Sequence, residues 1–177
     1  MVDPSPACAR AVERTVSALQ AQGHECIDVT PPSPYLALQI ASILLNSDGC
    51  RTFLSFFRTG ETNDPGAQQM SYYMKIPRPL KYLYYLWVKY VRQDKIWAGL
   101  LENFYETSCY EQWKWVAKRE AYKAMWHEWL KEQELDFLVT PVNATPAVPH
   151  QGMKEAVSSC GYTFLFNLVS ITWLFRR

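Results

Sequence analysis

KIPRPLKYLYYLWVKYVRQDKIWAGLL, running from Lys75 to Leu101, is the stretch that decides how this chain is built. Pro77 and Pro79 break it into a short piece and a longer helix, since proline halts one helix and suits the first turn of the next. Leu80, Leu83, Tyr84, Trp87 and Val91 fall on one helical face, at alternating spacings of three and four. Among them stand Lys75, Arg78, Lys81, Lys89, Arg92 and Lys95 against a single acid, Asp94. Such a helix can rest in a membrane interface. Its rings enter the headgroup boundary, Trp and Tyr favour that depth, and its cations meet anionic lipid heads. An equally good reading is a core helix whose Lys and Arg stems lie along its flank. Aromatic-plus-basic binding of RNA fits poorly, because the rest of the chain is not basic.

Outward from this stretch the chain alternates long helical patterns with two short strand patterns. Ser5-Pro6 starts a helix that carries Val12, Val16 and Leu19 on one face and ends at Gly23, a residue suited to the left-handed conformation. His24 to Val29 reads as a short strand stopped by Pro31-Pro32. Pro34 opens a second helix with Leu36, Ile40, Ile43 and Leu44 on one face, and a further turn follows through Phe53, Phe56 and Phe57. Gly60 to Gly66 reads as a polar loop with Asp64-Pro65-Gly66 as its turn. Tyr110 to Gln133 is a long amphipathic helix with Trp115, Tyr122, Met125, Trp126, Trp129 and Leu130 on one stripe. Its plain function is packing against a neighbour. Asp136 to Thr140 is a second short strand, then a Pro-rich loop, then a last apolar helix beginning near Ser158 or Gly161. Two short strands make no dependable sheet. The sheet that these helices cover is therefore expected to lie mostly outside the chain.

Composition narrows the function classes. Aromatic residues make up 15% of the 177 residues, with seven Trp and eleven Tyr, and the net charge of +1 supplies no global field for nucleic acid. The first twenty residues hold no signal-peptide core, and no apolar run is long enough to span a bilayer. The five Cys are scattered without a CxxC pair, which indicates reduced thiols rather than a zinc site or disulfide framework. An intracellular chain is expected, associated peripherally (monotopically) with a membrane or otherwise cytoplasmic. The three His, His24, His127 and His150, have no metal-ligand spacing, so no metal and no cofactor is expected. A triad can be written from Ser158, His150 and Asp136, but no G-x-S-x-G elbow or Gly-rich oxyanion loop accompanies it.

Several pieces, taken in order, resemble the C-terminal part of the amidase-signature hydrolases, among them fatty acid amide hydrolases and fungal amidases. They are Ser5-Pro6-Ala7 with Arg10-Ala11-Val12, Leu19 through Gly23-His24-Glu25, Ser47-Asp48-Gly49 with Thr52-Phe53-Leu54, and Asp64-Pro65. They continue with Ile76-Pro77 and Leu80-Lys81, Tyr122, Trp126, Asp136 with Leu138-Val139-Thr140-Pro141, Pro146-Ala147, and Tyr162-Thr163 with Leu165 and Asn167. The resemblance implies an α/β fold: this chain would be a helix-rich fragment of an α/β/α sandwich, with most of the mixed sheet missing from it. The partial domain runs over residues 4–168, with 70–104 as a helical segment capping the acyl channel and dipping into one leaflet.

The resemblance also implies hydrolysis of a C–N amide bond by a Lys/Ser/Ser triad, in which a neutral Lys activates the nucleophilic Ser through a bridging Ser. That triad and its Gly/Ser-rich run belong upstream, so no catalytic residue carries over and Met1 is expected to be a start inside the domain. After Leu168 the family continues with an Asp-Tyr/Phe-Pro-Ala-Gly turn. Here 169–177 is a divergent tail that resembles a frameshift or misread intron. What carries over is substrate accommodation: Leu45, Asn46, Met70, Leu100, Phe104 and Thr163 match the channel wall. Leu80, Leu83, Tyr84, Trp87, Val91, Lys81 and Lys89 are the expected membrane contacts. The expected partners are an acyl amide in the full-length parent and a membrane surface, with no nucleic acid and a homodimer left open. The alternative is a non-catalytic peripheral membrane or lipid-binding module.

Overall fold

A computed structural model describes residues 3–58, 60–61, 64–102, 104–152 and 161–169, and the side chains of Gln69, Met70, Lys95 and Ile96 lie outside that description. Among the described residues, eight helices account for the regular structure. Helix α1 (Pro6–Ala21) begins as its sequence requires: Ser5 Oγ accepts from the Cys8 amide at 3.4 Å, and Pro6 sits at the first position. Gly23 then takes φ 91°, the left-handed turn that side chains resist. Helix α2 (Pro34–Asn46) repeats the device, with Ser33 Oγ accepting from the Leu36 amide. A short α3 (Arg51–Ser55) follows.

Asp64-Pro65 is not the turn of a loop but the start of α4 (Pro65–Lys75). The same residues serve both ends: Asp64 Oδ1 accepts from the Gly66 amide at 2.8 Å, and Pro65 occupies the first helical position. Pro77 closes that helix and opens α5 (Arg78–Tyr90), which α6 (Lys95–Leu101) follows. Helix α7 (Cys109–Glu132) spans 24 residues, capped by Ser108 Oγ on the Glu111 amide. Helix α8 (Gly161–Val169) ends the described chain. The alternative start of this helix at Ser158 and all but the first residue of the tail 169–177 lie outside the described residues.

Neither expected strand forms. Residues 24–29 and 136–140 are irregular, and no strand occurs among the described residues. A strand exists only through ladder hydrogen bonds to a neighbour. The two segments meet through an edge contact of His24 on Phe137, ring centroids 6.1 Å apart, and not through a backbone ladder. Cys26, Ile27 and Val29 give the first segment a strand character that no backbone ladder in the described chain takes up.

The main core sits where α2, α7 and α8 meet. Ile40, Tyr122, Trp126, Leu165 and Val169 are each at most 2% exposed there. Trp126 is met edge-on by Trp129 at 5.4 Å and by Phe166 at 6.0 Å. Tyr122 keeps its polar tip satisfied by donating to the Ser33 carbonyl at 3.1 Å, and burial pushes its pKa up. Met125, expected on this stripe, is instead exposed. It lies at the stripe's edge, and only the centre of a helix face reaches the core. A second, smaller core joins α5 to α6 through Tyr85, Val88, Ala98 and Leu101. Helix α6 also packs on α2, where Gly99 lies so close to Tyr35 that a Cβ would overlap the tyrosine hydroxyl.

Candidate functional site

Helix α5 has two unlike faces. Tyr85 and Val88 turn inward, Val88 being 0% exposed. Leu80, Leu83, Tyr84, Trp87 and Val91 all face out, Leu83 at 60% and Val91 at 66% exposure. The stripe expected to contact a membrane is therefore outside the chain's own core, and the cations flank it unevenly. Lys89 Nζ donates to the Tyr85 hydroxyl at 2.8 Å, which raises its pKa. Arg92 rides on the Trp87 ring, 5.7 Å from the centroid.

Lys81 departs from that stripe. It stands four and seven residues before Tyr85 and Val88, on the inward face, and that spacing was the available sequence signal. Its ammonium donates to the Met74 carbonyl at 3.3 Å and lies 5.1 Å from the centre of the Tyr73 ring. Burial, with Arg78 nearby acting in the same direction, lowers its pKa. Lys81 thereby borders a cavity of about 280 Å³ that Arg51, Arg78, Tyr105 and Glu106 also line. Arg51 pairs with Glu106 Oε2 at 3.0 Å. Arg78 donates to the Glu106 carbonyl at 2.6 Å and stacks over Tyr105 at 4.7 Å. A second cavity of about 280 Å³ lies behind Arg78, Tyr105 and Glu106, toward Ile43 and Trp115. Arg51 and the Tyr105-Glu106 pair carry no local sequence pattern, because 55 residues separate Arg51 from Glu106.

The expected channel residues are distributed along adjoining elements, since α2 packs on both α6 and α8. Leu45, at 62% exposure, faces out from the end of α2, whereas Asn46 beside it is 4% exposed. The Asn46 amide is consumed locally: Nδ2 donates to the Ser42 carbonyl at 2.6 Å, and Oδ1 accepts from the Cys50 thiol at 2.8 Å. Burial, reinforced by Asp48, pushes that thiol's pKa up, so Cys50 stays protonated. Leu100 is half-buried, and Phe104 is buried edge-on against Tyr73 at 5.2 Å. Thr163 donates its hydroxyl to the Val142 carbonyl at 2.6 Å. Met70 belongs to α4, but its side chain lies outside the described part. Neither cavity is lined by any of the other five residues.

Of the triad that can be written on paper, His150 and Asp136 are exposed, and Ser158 lies outside the described residues. Among the described residues no cluster of three His, Cys, Asp or Glu is placed to hold a metal ion. No helix among them is long and apolar enough to cross a membrane.

Comparison with known proteins covers nearly the whole chain. The family model Amidase matches residues 1–175. Fatty-acid amide hydrolase 1 of Sus scrofa is 26% identical over 166 residues, which is 93% of this chain and 28% of that protein. Acetamidase of Aspergillus oryzae is 25% identical over 174 residues, 97% of this chain and 27% of its own length. The chain thus spans little more than a quarter of these curated relatives.

Proposed function

The chain belongs to the amidase family, and from that premise we propose that it forms the substrate-access region of a hydrolase of acyl C–N amide bonds, turning over nothing by itself. In this reading α4 to α6 stand between a membrane surface and the channel that admits the acyl group. The irregular segments 24–29 and 136–140 adjoin the mixed sheet of an α/β/α sandwich completed by residues outside this sequence. The observation that carries the reading is α5's exposed stripe of Leu80, Leu83, Tyr84, Trp87 and Val91, which lies beside the inward Tyr85 and Val88. Contiguous exposed apolar surface of this kind marks an interaction site or an aggregation hazard. Trp and Tyr with flanking Lys and Arg suit the headgroup boundary of a bilayer. The inference that catalysis lies elsewhere is supported by the sequence, which contains no Gly-Gly-Ser-Ser-Gly-Gly run to carry the nucleophile.

The test is direct. Purified chain incubated with a long-chain fatty amide releases no more ammonia or amine than a protein-free blank. Release above the blank overturns the proposal, and loss of that release in Ser158→Ala would assign it to the paper triad. A second reading, a lipid-binding module that works without hydrolase partners, draws on the sealed core of α2, α7 and α8. It predicts a chain that stays soluble without lipid; the fragment reading leaves apolar faces uncovered where the sheet would pack, and predicts a chain that folds but aggregates at lower concentration.

A further inference from the structure

The cavity between α3, α4 and α5 collects charge that the substrate-access reading leaves unused. Arg51 and Arg78 and the half-buried Lys81 border it, and among the described residues Glu106 is the one carboxylate on its wall. Glu106 is also spoken for: its Oε2 holds Arg51, and its backbone carbonyl holds Arg78. Arg51 is paired once, Arg78 is held by that carbonyl and the Tyr105 ring, and each guanidinium keeps further N–H donors. Tyr105 braces Arg78 from the side. No acidic residue sits in the first turn of α5 to offset the cluster. A compact oxyanion with several acceptor oxygens satisfies such a set, and forked guanidinium donors suit phosphate in particular.

We propose that the Arg51–Arg78–Lys81 cavity binds a phosphate group. Phosphate binding does not depend on the membrane reading; only a lipid as its source leans on it. Arg78 and Lys81 lie on the first turn of the same helix whose outward stripe begins at Leu80. A lipid headgroup phosphate is therefore one source and free phosphate the other.

Two assays on the full chain separate the sources. In the first, melting temperature is compared in inorganic phosphate and in chloride at equal ionic strength. In the second, the chain is sedimented with phosphatidylcholine vesicles with and without phosphatidic acid, against a vesicle-free baseline. The expected result is a phosphate-specific rise in melting temperature, together with a preference for phosphatidic acid of at least about tenfold. Arg78→Gln/Lys81→Met should abolish both. A rise in phosphate without preference for phosphatidic acid supports the site with free phosphate as its ligand. Leu83→Gln/Trp87→Gln should lose vesicle binding of every kind yet keep the response to phosphate, so failure of the membrane reading is distinguishable. If the double cation variant does not fold, Arg51→Gln, whose side chain is 76% exposed, gives the same comparison with a smaller loss. Equal responses of wild type and the folded cation variants to phosphate and to phosphatidic acid would overturn the proposal.

Discussion

The α2–α7–α8 core and the α4–α6 unit use the same rings in opposite ways. In the first, Tyr122 and Trp126 are 1% exposed and close on one another and on Phe166. In the second, Tyr84 and Trp87 stack in the open, ring centroids 5.9 Å apart, while smaller Val88 and Ala98 fill the inside. Aromatic content does not distinguish a core from an interface here. What distinguishes them is where the indole goes: Trp126 is inward in the first, while Trp87 lies outward in the second, where Tyr85 packs inside with Val88, Ala98 and Leu101.

That contrast is broken most forcefully in the sealed core. Trp126→Ala should cost about 3–5 kcal/mol, a large share of a domain's total stability, measured by chemical denaturation. A loss below about 1 kcal/mol would mean that this core is not sealed. Next is the seam where the α4–α6 unit joins the rest. Gly99→Ala places a methyl against Tyr35 and should cost about 1–3 kcal/mol, with Tyr35→Ala in the same background recovering part of it. Full additivity of the two would show that the contact is absent.

The smallest effect concerns Tyr73, whose hydroxyl is buried without a partner among the described residues. Burial, aided by Tyr84, pushes its pKa up from 10.0 to about 12. A raised folded pKa means that its contribution is fully present below the unfolded value of 10.0 and fades as pH climbs toward about 12. Tyr73→Phe should raise stability at neutral pH by up to about 1 kcal/mol, since it removes a buried hydroxyl that has no partner, and flatten that alkaline decline. An unchanged alkaline slope would place the hydroxyl in water.

The helix starts were legible because each is a local device. Ser5-Pro6 and Ser33-Pro34 cap and open α1 and α2 as their dipeptides require. Asp64-Pro65 was open to two readings, since turns and helix N-termini use the same chemistry. The stripe on α5 was legible from spacing, but whether it faces a core or the outside is a tertiary property. Lys81 shows the limit well: its charge suggested the surface, its register with Tyr85 and Val88 the interior, and register prevailed. The strand patterns at 24–29 and 136–140 were misleading because pairing needs a partner that periodicity cannot supply. Of the cation cavity only Arg78 and Lys81 stood out in the sequence, as part of a basic stretch; Arg51 and Glu106 join them from distant parts of the chain.

Sedimentation with neutral phosphatidylcholine vesicles tests the central assignment most directly, since these vesicles carry no net charge and the comparison changes only the apolar face. Wild type should pellet with the lipid, and Leu83→Gln/Trp87→Gln should bind at least about tenfold more weakly with an unchanged melting temperature. Equal pelleting of the two proteins would contradict the account, because the outward face of α5 would then have no part in meeting the bilayer.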